Sequence, residues 1–183
     1  MWDTTLDLPG ILEYKEQILA GEKPRCALER IRVDLANVAE RQRVFADVGA
    51  RGKRAFILTE GLLIYLAAEE VASLARDLAS VGSFHRWIFD LHSPRLLRMM
   101  QKRTGRALEK SGAPFRFGPP EGPEFFRPHG WEAVHVTGLL KTATKFGRPP
   151  LILRLLSRLP ESKGPQGNRP WSGVCVLEKK KVG

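Results

Sequence analysis

Short apolar runs alternate with amphipathic stretches along this chain, and each early run stops at an acidic residue. That alternation constrains the fold more than any other feature. Residues 2–6 read as a very short strand ended by Asp7, Leu8 and Pro9. Proline restricts the residue before it and starts helices well, because the first helical turn leaves its N–H groups unpaired. A helix is therefore expected to about residue 19, ending near Gly21, with Ile11, Leu12, Ile18 and Leu19 as its inner stripe. Residues 27–33 form a second strand candidate that stops at Asp34-Leu35, and a helix is expected over 37–45. Ala55, Phe56, Ile57 and Leu58 read as a buried strand ended by Thr59, Glu60 and Gly61. From about residue 68, Val71, Leu74, Ala75 and Leu78 recur at helical spacing, and Glu69 and Glu70 complement the partial positive charge of the first turn.

The pattern continues with a strand over residues 87–89 ending at Asp90, then a basic helix over 96–110. Residues 111–130 are rich in Gly, Pro and Phe and read as a long structured loop. A strand is expected over 131–136, a short helix over 151–159 with Arg154 and Arg158 exposed, a polar turn region over 160–170 and a last strand over 173–177. Strands alternating with helices of this length imply a three-layer α/β fold, its mostly parallel sheet covered on both faces. Residues 1–183 are expected to form a single domain, with 91–130 as a cap or insertion on the substrate side.

Thirty Lys and Arg against twenty Asp and Glu give a net charge of +10. Such an excess permits an anionic partner. It is spread along segments that also read as amphipathic helices, which favours a solvated basic face over a nucleic-acid groove. The two cysteines, Cys26 and Cys175, form no CxxC pair, so the sequence offers no disulfide framework and no structural zinc site. Buried thiols in a reducing compartment are expected. The first ten residues lack a basic region followed by an apolar run, and no apolar stretch approaches the roughly 20 residues that span a bilayer. A cytoplasmic protein without a membrane partner is the expectation.

Ligands of open α/β sheets bind beyond the carboxyl ends of the strands. Asp7, Asp34, Glu60 and Asp90 occupy those positions here. Each acid also suits a helix cap or turn. Together they suit a nucleoside-containing cofactor. One carboxylate can accept both hydrogens of a ribose diol. Asp34 can take a hydrogen bond from an exocyclic adenine amine while Leu35 packs on the base, and Glu60 with Gly61 can lie along a charged amino-acid end. Phosphate fits poorly, because GxxxxGK[ST] and GxGxxG are both absent and the acids would repel it.

Several runs carry a family resemblance. They are Leu6-Asp7-Leu8-Pro9, Val33-Asp34-Leu35, Leu58-Thr59-Glu60-Gly61-Leu62-Leu63-Ile64-Tyr65-Leu66, Phe115-Arg116-Phe117-Gly118 and His129-Gly130-Trp131-Glu132. In this order they resemble the leucine carboxyl methyltransferase family, whose many bacterial members have unknown substrates. The resemblance implies a class I methyltransferase, Rossmann-type sheet and S-adenosylmethionine as donor. It assigns Asp7 to the cofactor ribose, Asp34 and Leu35 to the adenine, and Glu60 with Gly61 to the methionine portion. The family begins with a substrate-side helical region, a first strand and a glycine-rich loop. None of these precedes Trp2, and Thr5 stands where an acid often lies two places before Asp7. The expectation is an amino-terminally truncated domain, with catalysis in question.

Methyl transfer from a sulfonium needs mainly alignment of acceptor, methyl and leaving sulfur. A carboxylate acceptor needs no general base, only a positive group to hold it. Arg116, between two phenylalanines, is the candidate, and Tyr65 is the candidate for lining the acceptor pocket. Each has a packing role as the alternative. His129 suits a turn before Gly130 better than a base. His85, His92 and His135 show no metal-ligand spacing, and no GxSxG elbow supplies a hydrolase nucleophile. The expected acceptor is a small-molecule or protein carboxylate, or a hydroxyl. The basic helix, with Arg95, Arg98, Lys102, Arg103, Arg106 and Lys110, supports the alternative of a non-catalytic basic binding fragment. A partner-completed fragment is the other alternative, since exposed strand edges favour homodimerisation.

Overall fold

A computed structural model of the chain describes residues 2–110, 112–139, 142 and 169–180. The chain divides into two compact units, Met1–Lys53 and Arg54–Gly183.

In the first unit, β1 (Trp2–Asp7) and β2 (Ala27–Arg32) pair in parallel, Trp2 opposite Ala27 and Asp7 opposite Arg32. The crossover is α1 (Pro9–Ile18), with proline in its first turn as expected. Of the expected stripe only Leu12 is buried, while Ile11, Ile18 and Leu19 are exposed. Next comes α2 (Val38–Ala50), capped by Asn37, whose Oδ1 accepts the Glu40 N–H at 3.3 Å. It runs past residue 45 to Ala50 in spite of Gly49, whose low helix propensity is a weak signal that packing overrides, and it buries Val44, Phe45 and Gly49.

The second unit holds a four-stranded sheet. Here β3 (Ala55–Thr59) pairs in parallel with β4 (Phe84–His92) across α3 (Ala68–Ser80). The late strands β5 (Trp131–Gly138) and β6 (Ser172–Lys179) complete the order β3-β4-β6-β5, with β6 antiparallel to both neighbours. The expected predominance of parallel strands holds only for the early ones. Antiparallel neighbours need no crossover of the βαβ kind, and β6 runs antiparallel to both β4 and β5. The stripe Val71, Leu74, Ala75 and Leu78 of α3 is buried as predicted. Its start is fixed by Glu70, whose Oε2 accepts the Ala67 N–H at 2.6 Å.

One face of this sheet carries the core. Trp87, Phe89 and Leu91 alternate along β4 and oppose Leu177, Cys175 and Gly173 on β6. Phe126 and Trp131 close on them, with ring centroids 5.2 and 5.7 Å from Trp87. The indole N–H of Trp131 donates to the Ala75 carbonyl at 2.9 Å and so ties β5 to α3. The 3-10 stretch Gly122–His129, inside the segment read as loop, ends at Gly130 with φ 94°. A Cβ there would lie 2.9 Å from that of Ala79, so His129-Gly130-Trp131 is a chain reversal plus a core anchor.

The opposite face corrects an expectation. Phe56 and Leu58 are each 68% exposed, so β3 is not the buried strand its apolar run suggested. It pairs only with β4 among the described residues, and alternate side chains of any strand face opposite sides of its sheet, which puts Phe56 and Leu58 together on one side. Strand β4 is longer than expected, so Asp90 lies within it, two residues before its end. The basic helix is α4 (Pro94–Lys110), and the buried Ser93 accepts the Leu96 N–H at 3.3 Å at its start. The helix expected over 151–159 lies outside the described residues. No helix among the described residues is long and apolar enough to cross a membrane.

Candidate functional site

The first unit brings Asp7, Asp34 and Leu35 to the carboxyl edge of its parallel pair. The Val33 N–H donates to the Asp7 carbonyl at 3.0 Å, locking the two strand ends together. Asp7 is already engaged: its Oδ1 accepts the Leu8 N–H at 3.0 Å and its Oδ2 accepts from Lys15 Nζ at 2.7 Å. The ion pair is half-exposed and so worth at most about 1 kcal/mol. A diol at Asp7 would share these oxygens, each of which has a second lone pair.

Asp34 is differently placed. Its Oδ1 accepts the Ala36 N–H at 2.9 Å, and its carbonyl accepts the Asn37 N–H at 3.0 Å, giving a tight turn into α2. Its Oδ2 has no partner among the described residues. Leu35 beside it is half-buried, and its carbonyl accepts from the guanidinium of Arg41 at 2.8 Å. Arg41 is 3% exposed.

The second unit places Glu60, Gly61, Tyr65 and Arg116. Glu60 follows β3 directly, is exposed and has no partner among the described residues. Gly61 adopts φ 62°, a left-handed conformation that side chains disfavour. Its N–H donates to Asp90 Oδ1 at 2.7 Å, and a Cβ at Gly61 would meet nothing within 4 Å. The buried side of this turn is held by Trp87, whose Nε1–H donates to Thr59 Oγ1 at 3.0 Å. His92 Nδ1 stands 3.8 Å from Asp90 Oδ2. Burial lowers the His92 pKa, and the Asp90 charge opposes that shift.

Tyr65 ends the 3-10 turn Leu63–Tyr65, 37% exposed, with its ring centroid 5.6 Å from that of Phe115. The Arg116 and Phe117 N–H groups both donate to the Ile64 carbonyl, at 2.7 and 3.1 Å. Gln101 Nε2 donates to the Phe115 carbonyl at 2.8 Å, which fastens the same loop to α4. Tyr65 and Arg116 therefore share one ledge, and the Arg116 side chain is exposed with no ion pair among the described residues. His129 stands apart, 3.4 Å from Arg76 and tilted against Phe125 with ring centroids 5.4 Å apart, and burial followed by the Arg76 charge lowers its pKa. No group of His, Cys, Asp and Glu among the described residues could hold a metal ion.

Three contributors carried no assigned role in the sequence: Arg41, Asp90 and Gln101. Asp90 was visible as an acid near a strand end, but its partner Gly61 is 29 residues away. Arg41 and Gln101 lie on helices among many other polar residues, with no local signal to single them out.

Residues 5–79 match the sequence profile of the leucine carboxyl methyltransferase family. No curated protein matches the sequence. Among solved structures, a DUF574 family protein from Streptomyces avermitilis superposes with TM-score 0.60 at 13% identity, over 98% of this chain and 65% of its own. A putative methyltransferase from Thermobifida fusca gives 0.58 at 17% identity, over 97% and 63%. An O-methyltransferase family protein from Burkholderia thailandensis gives 0.55 at 11%, over 98% and 44%. The chain thus spans less than two thirds of each of these proteins. Residues 5–79, less than half of the chain, thus resemble the leucine carboxyl methyltransferase family, and the fold is of the class I methyltransferase type.

Proposed function

We propose that this chain provides the core of an S-adenosylmethionine-dependent methyltransferase that methylates an oxygen, of a carboxylate or a hydroxyl, on a small molecule or a protein. The observation that carries this reading is the family match over residues 5–79, which spans Asp7, Asp34, Leu35, Glu60 and Gly61. The donor set suits the cofactor. Asp34 keeps one carboxylate oxygen for an N–H or O–H donor, and the Glu60 carboxylate, without a partner among the described residues, suits an α-ammonium. Gly61 leaves its surroundings open to close approach. Asp7 would accept from the ribose by sharing the oxygens that now hold Leu8 and Lys15.

S-adenosylmethionine would supply a methyl group on a sulfonium, reactive enough that the protein's task is alignment. On the acceptor side, the exposed guanidinium of Arg116 would hold an acceptor carboxylate. Tyr65 and Phe115 would wall off water beside it, with the 91–130 segment as the substrate side of the domain. The test is calorimetric titration of the purified chain with S-adenosylmethionine. Saturable one-to-one binding is expected, and no binding by a folded, monodisperse sample would overturn the reading.

The outer face of α4 favours a second, non-catalytic reading. Arg95, Arg98 and Lys102 recur at helical spacing around the exposed Met99, and all four line one concavity. Binding of duplex nucleic acid that weakens steeply with salt, without cofactor binding, would favour this reading over the first.

A further inference from the structure

We propose that Arg41 is a positioning residue that sets which oxygen of Asp34 faces a bound nucleoside; the cofactor half of this rests on the methyltransferase reading. Arg41 lies in the first turn of α2, where the helix dipole disfavours a cation, and it is 3% exposed. Both placements cost free energy, so a guanidinium is kept there only by strong contacts. One of these reaches back across the turn to the Leu35 carbonyl at 2.8 Å. That carbonyl and the Ala36 N–H lie in one rigid peptide plane and point in opposite directions within it. Arg41 holds one end of the plane. Asp34 Oδ1 accepts from the other end at 2.9 Å. With both ends held, the carboxylate cannot rotate without breaking the Ala36 bond, and Oδ2, without a partner among the described residues, is left for a ligand. Leu35 is oriented by the same plane. Releasing Arg41 frees the plane, and a ligand must then order Asp34 and Leu35 on binding.

The experiment compares Arg41→Met, Arg41→Lys and Val44→Ala. Val44 is buried on the same helix and serves as the control for simple destabilisation. Three quantities are measured: amide exchange at Ala36, the dissociation constant for S-adenosylhomocysteine at a temperature well below every midpoint, and the thermal midpoint. Arg41→Met should speed Ala36 exchange and weaken binding about tenfold, the cost of ordering two loosened residues. Arg41→Lys keeps a charged donor and should restore part of both. Val44→Ala should lower the midpoint and change neither. Should the methionine variant fail to fold, the lysine variant against Val44→Ala carries the comparison.

Unchanged Ala36 exchange in the Arg41 variants overturns the positioning role outright. Faster exchange with unchanged affinity overturns its link to the ligand. A wild-type chain that protects Ala36 yet binds no S-adenosylhomocysteine overturns the cofactor reading instead, and the exchange data separate that failure from the first.

Discussion

Replacing Asp34 by asparagine separates binding from folding. The side chain does two jobs with two atoms: Oδ1 closes the turn on the Ala36 N–H at 2.9 Å, and Oδ2 is left for a ligand. Asparagine keeps an oxygen for the turn, so stability should move by less than about 0.5 kcal/mol. Where Oδ2 stood, it presents an NH2 group. A ligand donor then loses a charged acceptor, worth about 1.5–3 kcal/mol, and meets another donor. Because Asp34 is exposed, the lower end applies, and the dissociation constant for S-adenosylhomocysteine should rise roughly ten- to thirtyfold. Asp34→Ala should weaken binding similarly and also cost about 1 kcal/mol of stability through the lost turn bond. Calorimetry gives the affinities and urea unfolding the stabilities. Wild-type affinity in Asp34→Asn would refute the assignment of Oδ2 to the ligand.

Trp131→Phe should cost about 2 kcal/mol in urea unfolding, roughly half from the lost bond to Ala75 and half from a cavity of roughly 40 Å3; a cost below about 0.5 kcal/mol would show that the core closes without the indole. His92 has a folded pKa below 6.5, so it contributes stability that is present above that pH and lost as pH falls below it. His92→Gln should therefore flatten the stability profile on the acid side of pH 6.5, and an unaltered slope would exclude the residue as its source. Burial, reinforced by the Asp90 charge, pushes the Cys175 thiol from 9.0 up to about 12, so its contribution is full below pH 9 and lost as pH rises through 12. Iodoacetamide at pH 8 should accordingly label the half-buried Cys26 in the native protein and reach Cys175 only on unfolding, as mass spectrometry of the two peptides would show.

Where local pattern and tertiary context agreed, the sequence was readable. The α3 stripe is buried because one helix face meets the sheet at every turn, which is what a 3.6-residue period encodes. The motif around Gly61 was legible because a glycine after a strand announces a turn. The apolar run of β3 misled, since burial depends on what covers a strand, and Phe56 and Leu58 stand at a sheet edge. Tyr65 and Arg116 were named separately, but only the Ile64 carbonyl, shared by Arg116 and Phe117, shows that they occupy one ledge.

By itself the sequence determined the alternation of strands and helices, the proline start of α1, the apolar stripe of α3 and the acids near the strand termini. These follow from periodicity and from the backbone needs of glycine and proline, which act within a few residues. Tertiary structure alone decided the antiparallel return of β5 and β6, the pairing of Gly61 with Asp90, the burial of Arg41 beneath Leu35 and the engagement of Asp7 by Lys15. Hydrogen bonds of that kind join groups by distance in space, and spacing along the chain carries no trace of which donor will find which acceptor.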